Sequence, residues 1–253
     1  MDNNLFELVF QESVSAKIAT DRFLTEYYLK SGCRSIMNAA LKAEDSMAYF
    51  LQFAGKAKSD AVLRHIPSIF SVVSKDVLVL NPSYFPIKEI HKKLLIMDWR
   101  EFEYFSSDIL QICFKAVDVR TTQPTADGGL DFSGKLAITP VSSNEPYGYI
   151  EIYGQSKRYA NNVGIEDVKS FVAFANSKKR NYVHHPQLFF FFTTSAFAPN
   201  ASSELNENGF LGFSGLQLAN IIFLHKELLE SKSDIFRQTF VGKENQNKTA
   251  RPE

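Results

Sequence analysis

The sequence predicts an α/β protein with a mixed central sheet flanked by helices, preceded by a mainly helical N-terminal domain. Residues 1 to about 80 show mainly helical spacing of apolar side chains, whereas strand patterns and amphipathic helices follow one another after about residue 115. The run Leu188–Thr194 is almost continuously apolar, which is typical of a strand covered on both faces. With 253 residues, 45% of them hydrophobic and 23 of them Phe, the chain can bury one large core or two modest ones.

The composition excludes several classes of protein. Lys+Arg and Asp+Glu both number 28, so the chain is neither a basic nucleic-acid coat nor an acidic tail. No apolar stretch approaches the roughly 18 to 20 residues of a membrane span, so no membrane partner is expected. The two cysteines, Cys33 and Cys113, are far apart and match no disulfide or metal pattern, and no secretory signal is expected. We therefore expect a cytoplasmic protein.

The N-terminal domain is expected to end near two prolines. Ala39–Ala57 lacks proline and is rich in Ala, Leu, Met and Lys, which favours a helix. Val77–Leu80 is typical of a short strand. Pro82 and Pro86 then interrupt the pattern, and we place the domain boundary at 82–92. The predicted divisions are 1–90, a helical module for target recognition or oligomerisation; 91–235, a second domain; and 236–253, a polar tail.

The elements of the second domain follow from apolar spacing and turn residues. Asp98 lies three residues before Glu101, as in a capping box, and begins an amphipathic helix whose first apolar residue, Trp99, is expected in the core. Strands are expected at 115–120, 130–139, 148–157 and 188–194, and further helices at 165–177 and 215–230. The helix at 165–177 implies a parallel connection between the strands on either side of it.

Two short segments carry the groups that could do chemistry. Asp127-Gly-Gly-Leu-Asp131 leads into one predicted strand, and Gln155-Ser156-Lys157 ends another. Alternate strand residues share a face, so Gln155 and Lys157 point one way and Ser156 points the other way. If the two strands are neighbours, Asp131 meets Gln155 and Lys157 at one edge of the sheet.

These groups suit the hydrolysis of a phosphodiester, which requires a hard cation, a positioned water and positive charge at the transition state. Asp131, the amide oxygen of Gln155 and the backbone carbonyl of Ser156 are suitable Mg²⁺ ligands. Lys157 could orient the water and oppose the developing negative charge. On the residues alone, the alternative stays open that Asp131 is a turn residue and that Gln155 and Lys157 line an exposed strand face.

Six segments extend this pattern between about residues 95 and 230: Trp99–Phe105, Asp127–Asp131, Tyr149–Tyr159, Val163–Phe174, Phe190–Phe197 and Gly215–Ala219. In this order they resemble the catalytic domain of Mrr-type restriction endonucleases, in the PD-(D/E)xK nuclease superfamily. The resemblance implies a restriction-endonuclease-like fold and a Mg²⁺-dependent DNA endonuclease of a restriction or defence system. It also implies double-stranded DNA as partner. Cutting both strands normally requires two sites, hence a homodimer or a transient pair.

The resemblance also implies roles for single residues. The residue matching Asp131 binds the metal, the one matching Gln155 replaces the usual acid, and the one matching Lys157 is catalytic. A glutamate on the opening helix often completes the metal site, and Glu103 resembles it; helical spacing alone leaves both a site-facing and a solvent-facing side chain open. The usual Gln-Ala-Lys has Ala where this chain has Ser156, a change expected on the far face of the strand and expected to be tolerated.

The neutral Gln155 has a physical consequence. An amide in place of a carboxylate removes one negative charge from the metal site, so the affinity for the cation falls unless Glu103 or the scissile phosphate supplies oxygens. We expect a site that fills with metal mainly when DNA is bound.

Candidate DNA contacts surround these groups. Thr194 and Ser195 could bind a phosphate, although a plain strand end explains them equally well. Contacts without sequence preference are expected from Arg158, Tyr159, Lys178, Lys179 and Arg180. The last three equally suit a solvated helix end. A rival function stays open: a nuclease-like fold that has lost hydrolysis and serves as a DNA-binding or subunit-contact module. RNA or modified DNA as substrate also stays open.

Overall fold

The computed structural model of the protein describes residues 1–12, 15–122, 129–140, 145–181 and 186–242, with the backbone alone for 178–181. The chain divides into two compact units, residues 1–87 and 88–253. Each unit contains its own sheet, one of three strands and one of five. The roles predicted for the two units stay predictions.

The first unit packs three helices against a small antiparallel sheet. The helices are α1 (Asn3–Gln11), α2 (Thr20–Lys30) and α3 (Ile36–Leu63), and the strands are β1 (Lys17–Ala19), β2 (Phe70–Val73) and β3 (Val77–Leu80). Its core includes a group of mutually contacting rings: Phe6, Phe10, Phe23, Phe50 and Phe70. The mainly helical character and the strand at Val77–Leu80 are confirmed. Strands β1 and β2 are not predicted from the sequence, because strands of three and four residues are too short to show an alternation.

The second unit is built on a mixed sheet in the order β4-β5-β6-β7-β8. These strands are β4 (Val117–Thr121), β5 (Phe132–Ile138), β6 (Gly148–Lys157), β7 (Gln187–Thr193) and β8 (Leu211–Phe213). Neighbours from β4 to β6 pair antiparallel, and neighbours from β6 to β8 pair parallel. The predicted α/β fold with a mixed central sheet is confirmed.

Helices connect and flank these strands: α4 (Tyr84–Ile96), α5 (Trp99–Asp108), α6 (Ile165–Asn181), α7 (Pro199–Glu207), α8 (Gly215–Leu224), α9 (Lys226–Lys232) and α10 (Asp234–Phe236), with π-helical turns at Ile109–Cys113 and Arg237–Val241. The boundary between the units falls within α4. Helix α6 connects β6 to the parallel strand β7, as predicted. The helix expected at 215–230 is interrupted at His225, and α7 and β8 were not predicted. None of the described helices is long and apolar enough to cross a membrane.

The Phe-rich strand β7 is buried on both faces, as its sequence predicts. Phe189 and Phe191 contact Phe171 of α6, whereas Phe190 and Phe192 lie on the opposite face. This packing places β7 inside the unit and fixes β6 beside it.

A tight contact between aromatic ring and backbone fixes the end of β5 against β6. The ring of Phe132 packs beside the ring of Phe192, with 4.9 Å between the ring centres and the two planes tilted. The Phe132 ring also covers Gly154, where a Cβ atom would come within 2.0 Å of the ring. Only glycine leaves room for this ring, so the register of β5 and β6 is set next to Asp131.

Two expectations at the borders of the second unit are wrong. Trp99 is 47% exposed, because it stands on the first turn of α5, off the buried side that Phe102 and Phe105 occupy. Residues 236–241, assigned to the polar tail, form helical turns in which Phe240 packs against Phe105. The rest of the predicted tail, 243–253, lies outside the described residues.

Candidate active site

Asp131 is held by its backbone at the point where the chain enters β5. Its N–H donates to the carbonyl of Gly154 at 2.9 Å, and its carbonyl accepts from the N–H of Thr122 at 2.9 Å. Because Phe132 pairs with Gly154 in the sheet, the next position places Asp131 beside Gln155. The two predicted strands are therefore neighbours, which is the condition on which the predicted site depended.

The carboxylate of Asp131 lies over the backbone of Ser156. Its Oδ2 accepts from the Ser156 N–H at 2.7 Å and from the Ser156 hydroxyl at 3.2 Å. Ser156 was expected on the far face of the strand as a tolerated change, and in the structure its hydroxyl contacts the Asp131 carboxylate. The serine side chain is short, so its hydroxyl stays near the N–H of the same residue. Both groups donate to the same carboxylate oxygen of Asp131.

Gln155 and Lys157 are alternate residues at the end of β6. Gln155 pairs with Phe191 and Lys157 with Thr193 of β7. Gln155 is only 5% exposed, and its side-chain Oε1 is buried without a hydrogen-bond partner among the residues that the structure describes. Leaving such an oxygen unsatisfied costs about 1 to 3 kcal/mol, so the folded chain has something to gain from a ligand at this point.

Gly129 closes the site on the side of the amide nitrogen. A Cβ atom there would lie 2.8 Å from Nε2 of Gln155, and the backbone of Gly129 has a φ of +94°. Both the space and the conformation therefore favour glycine. The preceding residues 123–128, including Asp127, lie outside the described part of the chain.

Glu103 lies on α5, whose first turn is capped by Asp98. The Asp98 carboxylate accepts from the N–H of Arg100 at 2.9 Å, as the sequence predicts for a helix start. Glu103 is half-buried, and burial raises its pKa; the negative charge of Asp131 raises it further, while the positive charges of Lys157 and Arg100 lower it. Glu103 therefore interacts electrostatically with both charged groups at the strand ends. We call Glu103, Asp131, Gln155 and Lys157 the site cluster.

Burial also raises the pKa of Asp131, against the opposing effects of the Ser156 hydrogen bonds and of Lys157. Two carboxylates with raised pKa values next to each other mean that their negative charge is poorly solvated. A cation bound between them would remove this cost.

The oxygen atoms of the site cluster suit a hard divalent cation. Within the described chain, both hydrogen bonds to the Asp131 carboxylate go to Oδ2, which leaves Oδ1 to a ligand. Oε1 of Gln155 and the Glu103 carboxylate are the further donors. No three His, Cys, Asp or Glu residues of the described ranges are grouped to hold a metal. The backbone carbonyl of Ser156 stays a predicted ligand.

Two of the candidate DNA contacts are buried in this structure. Thr194 is fully buried, and its hydroxyl donates to the carbonyl of Tyr159 at 3.1 Å and accepts from its N–H at 3.2 Å. Ser195 is also buried, with its hydroxyl 3.2 Å from that of Thr193. These hydroxyls satisfy polar groups after β7 and are not presented to a phosphate.

The other candidate contacts differ in their accessibility. Arg158 is exposed, and its Nε donates to the carbonyl of Met97 at 2.9 Å. Tyr159 donates its hydroxyl to Asp167 at 2.9 Å. Lys178, Lys179 and Arg180 belong to α6, and their side chains lie outside the described part of the structure.

The family of the chain follows from its sequence match. A family model described as restriction endonuclease, Mrr_cat, matches residues 94–222. The chain belongs to this restriction endonuclease family. The match includes all four residues of the site cluster, so the Mrr-type resemblance predicted from the sequence is confirmed.

Two solved structures also match this Mrr-type chain. The MspJI restriction endonuclease in complex with a 27-mer oligonucleotide is 18% identical, with a TM-score of 0.41, over 62% of this chain and 36% of that one. The DNA modification-dependent restriction endonuclease AspBHI is 17% identical, with a TM-score of 0.42, over 58% of this chain and 36% of that one. The chain thus spans about a third of the length of these two proteins. No curated protein sequence matches it.

Proposed function

We propose that this Mrr-type chain is a Mg²⁺-dependent endonuclease of the PD-(D/E)xK type that hydrolyses phosphodiester bonds in duplex DNA for restriction or defence. The observation that carries the proposal is the buried Oε1 of Gln155, which has no hydrogen-bond partner among the described residues and belongs to the residue opposite Asp131 across the two strands. A buried acceptor oxygen on the residue beside a carboxylate whose pKa is raised by burial is a suitable ligand for a hard cation.

Three residues of the site cluster would hold the cation: Asp131 through Oδ1, Gln155 through Oε1 and Glu103 through its carboxylate. When bound, Mg²⁺ supplies Lewis-acid stabilisation of the phosphoryl oxygens. The hydrogen bonds from Ser156 hold Asp131 in one orientation, so that its remaining oxygen is available without a rearrangement.

Lys157 supplies the positive charge and helps to position the nucleophile. In the reaction, the oxygen of a water molecule forms a bond to phosphorus while the bond from phosphorus to the leaving sugar oxygen breaks. Negative charge grows on the phosphoryl oxygens, and the Lys157 ammonium opposes it at close range. The electrostatic effect of Lys157 on both Glu103 and Asp131 supports its position next to the bound phosphate.

The neutral Gln155 makes the cation site dependent on substrate. With two acids instead of three, the site attracts a divalent ion less strongly, and the scissile phosphate contributes further oxygens. Loading with metal is therefore coupled to DNA binding. Cutting both strands requires two such sites, which a homodimer or a transient pair of chains provides.

The test compares two aspartates on the same sheet. Asp131→Asn removes one negative charge from the site cluster, whereas Asp118→Asn removes an exposed negative charge on β4. We expect the native chain and D118N to nick or cut supercoiled plasmid in Mg²⁺, EDTA to stop this, and D131N to be inactive with an unchanged circular dichroism spectrum. Cleavage by D131N at the native rate contradicts the assignment.

The neutral Gln155 also favours a second candidate, a DNA-binding or subunit-contact module without hydrolysis. A chain of that kind shifts the mobility of duplex DNA in both Mg²⁺ and EDTA and produces no nick in either. Comparing the two readouts on one plasmid substrate separates the two functions.

A further inference from the structure

Helix α5 carries large aromatic side chains on the outside of the protein. Trp99 is 47% exposed and Tyr104 is 56% exposed, and Arg100 between them is exposed as well. We call Trp99, Arg100 and Tyr104 the α5 aromatic surface. Exposed Trp and Tyr are common where a partner covers them, since burying such a ring yields a large favourable free energy.

This surface adjoins the site cluster. Glu103 lies four residues after Trp99 and three after Arg100, so all three share one side of the helix. Residues three apart on a helix are neighbours on its surface, so Arg100 and Glu103 lie near each other. A molecule that occupies the site cluster therefore reaches the α5 aromatic surface within one helical turn.

A second arginine lies at the start of the helix. The guanidinium of Arg158 donates to the carbonyl of Met97, immediately before the capping residue Asp98. Arg158 directly follows Lys157 of the site cluster. Cationic groups thus stand at both the strand end and the helix start, and Asp98, Glu101 and Glu103 are the acids at the start of the same helix.

The pairing of Trp99 with Arg100 points to the chemistry of the occupant. The guanidinium of Arg100 lies 4.9 Å from the centre of the Trp99 ring. A ring with an adjacent guanidinium offers a surface for stacking and donors for an anion side by side. Nucleic acid presents the same alternation, with a flat base or sugar beside each phosphate.

We propose that the α5 aromatic surface binds the DNA strand next to the scissile phosphate. Trp99 and Tyr104 pack on bases or sugars, and Arg100 and Arg158 contact the flanking phosphates. The inference rests on the proposed function for the position of the cut. The occupant is a nucleic acid strand and not a peptide, because the surface is continuous with a site for a phosphodiester and joins aromatic rings to guanidinium groups.

The chain has a natural probe for this contact, because Trp99 is its only tryptophan. We would titrate the D131N variant in EDTA with a duplex oligonucleotide, and follow tryptophan emission and electrophoretic mobility together. We expect the emission to be quenched with the same midpoint as the mobility shift. A mobility shift that leaves the emission unchanged overturns the proposal.

Variants test the same contact in the native chain. Trp99→Ala and Tyr104→Ala are each expected to weaken DNA binding by about 5- to 100-fold, the range for losing one stacked base. Trp99→Phe should retain most of the affinity, because it keeps an aromatic face. Tyr147→Ala is the control: Tyr147 is 90% exposed and precedes β6, whose length of about 30 Å separates it from Lys157. Native affinity in both W99A and Y104A contradicts the proposal.

These outcomes separate the surface from the function. Quenching together with weaker binding by W99A, in a chain that never nicks DNA, supports the surface and refutes hydrolysis. Cleavage that is lost in D131N but unchanged in W99A and Y104A supports hydrolysis. It refutes DNA binding by the α5 aromatic surface.

Discussion

Two Asp and Lys pairs on the same sheet differ sharply in their surroundings. Lys135 of β5 donates to Asp118 of β4 at 2.9 Å, and both side chains are open to water, 42% and 60% exposed. The hydrogen bond and charge of Lys135 lower the pKa of Asp118, and Asp118 raises that of Lys135. Asp131 directly precedes β5, and burial raises its pKa although the positive charge of Lys157 lowers it.

This difference shows why residue type alone does not identify a site. Asp118 and Lys135 balance each other's charge and both are solvated by water. A ligand bound to this surface pair would therefore stabilise the chain little. The site cluster combines poorly solvated acids with the unpartnered oxygen of Gln155, so it has much to gain. The predictions below test whether this contrast governs activity.

The largest effect is expected from the two lysines. Lys157→Ala should lower the rate of cleavage by about 100- to 1000-fold, as for the loss of one group that stabilises transition-state charge. Lys135→Ala should leave the rate within about twofold of native, since it alters only the surface pair. Single-turnover cleavage of a labelled duplex measures both. Equal losses in the two variants would remove the distinction between the clusters.

A smaller effect is expected from two glycines with left-handed backbones. Gly129 and Gly32 have φ of +94° and +104°, but only at Gly129 would a Cβ atom meet a side chain, that of Gln155. Both Ala variants should melt a few degrees lower because of backbone strain. Only Gly129→Ala should lower cleavage, by about 10- to 100-fold, because it displaces the amide. A fully active G129A with a native melting temperature would show that Gln155 needs no fixed position.

The metal requirement should depend on the amide oxygen. Gln155→Glu adds a charged ligand and should lower the Mg²⁺ concentration for half-maximal cleavage by roughly tenfold, whereas Gln155→Ala should raise it by a similar factor. Gln187→Ala is the control, because the buried atom of Gln187 that has no partner among the described residues is Nε2, a donor that does not bind cations. Cleavage rates as a function of Mg²⁺ concentration measure the effect. The same requirement in all four proteins would exclude Gln155 as a ligand.

The smallest effect concerns stability without metal. The folded-state pKa of Asp131 is raised, so the stability it contributes is present at low pH and is lost as the pH rises through that pKa. Asp131→Asn avoids this loss and should raise the melting temperature in EDTA by a few degrees at pH 7, with the gain vanishing below pH of about 4. Asp118→Asn, whose pKa is lowered, should give no such gain. Melting curves across this pH range decide; a D131N that melts lower at pH 7 contradicts the prediction.

Long, regular elements could be predicted from the sequence. The bounds of β6 agree with the prediction at both ends, and β7 and α6 differ from it by at most a few residues, because their apolar patterns are local and uninterrupted. The short strands β1, β2 and β8 could not be predicted. Strands of three or four residues are stabilised by neighbours distant in sequence, which a local pattern does not contain.

The site was predictable only in part. Glu103, Asp131, Gln155 and Lys157 are present in the sequence, but only the six segments in order around them allow the family to be recognised. The hydrogen bonds of Ser156 to Asp131 had one visible signal, a hydroxyl where the family usually has alanine. No pattern in the sequence indicates which of the surrounding polar residues are buried and which are exposed.

The sequence by itself determined the residue types at the ends of β5 and β6, the alternation that puts Gln155 and Lys157 on one face, and membership in the restriction endonuclease family. Only the tertiary structure decided which polar groups lack partners and which are already satisfied. Thr194 is buried against Tyr159 while Trp99 stays exposed, because burial depends on what packs around a side chain in three dimensions and not on its own chemistry.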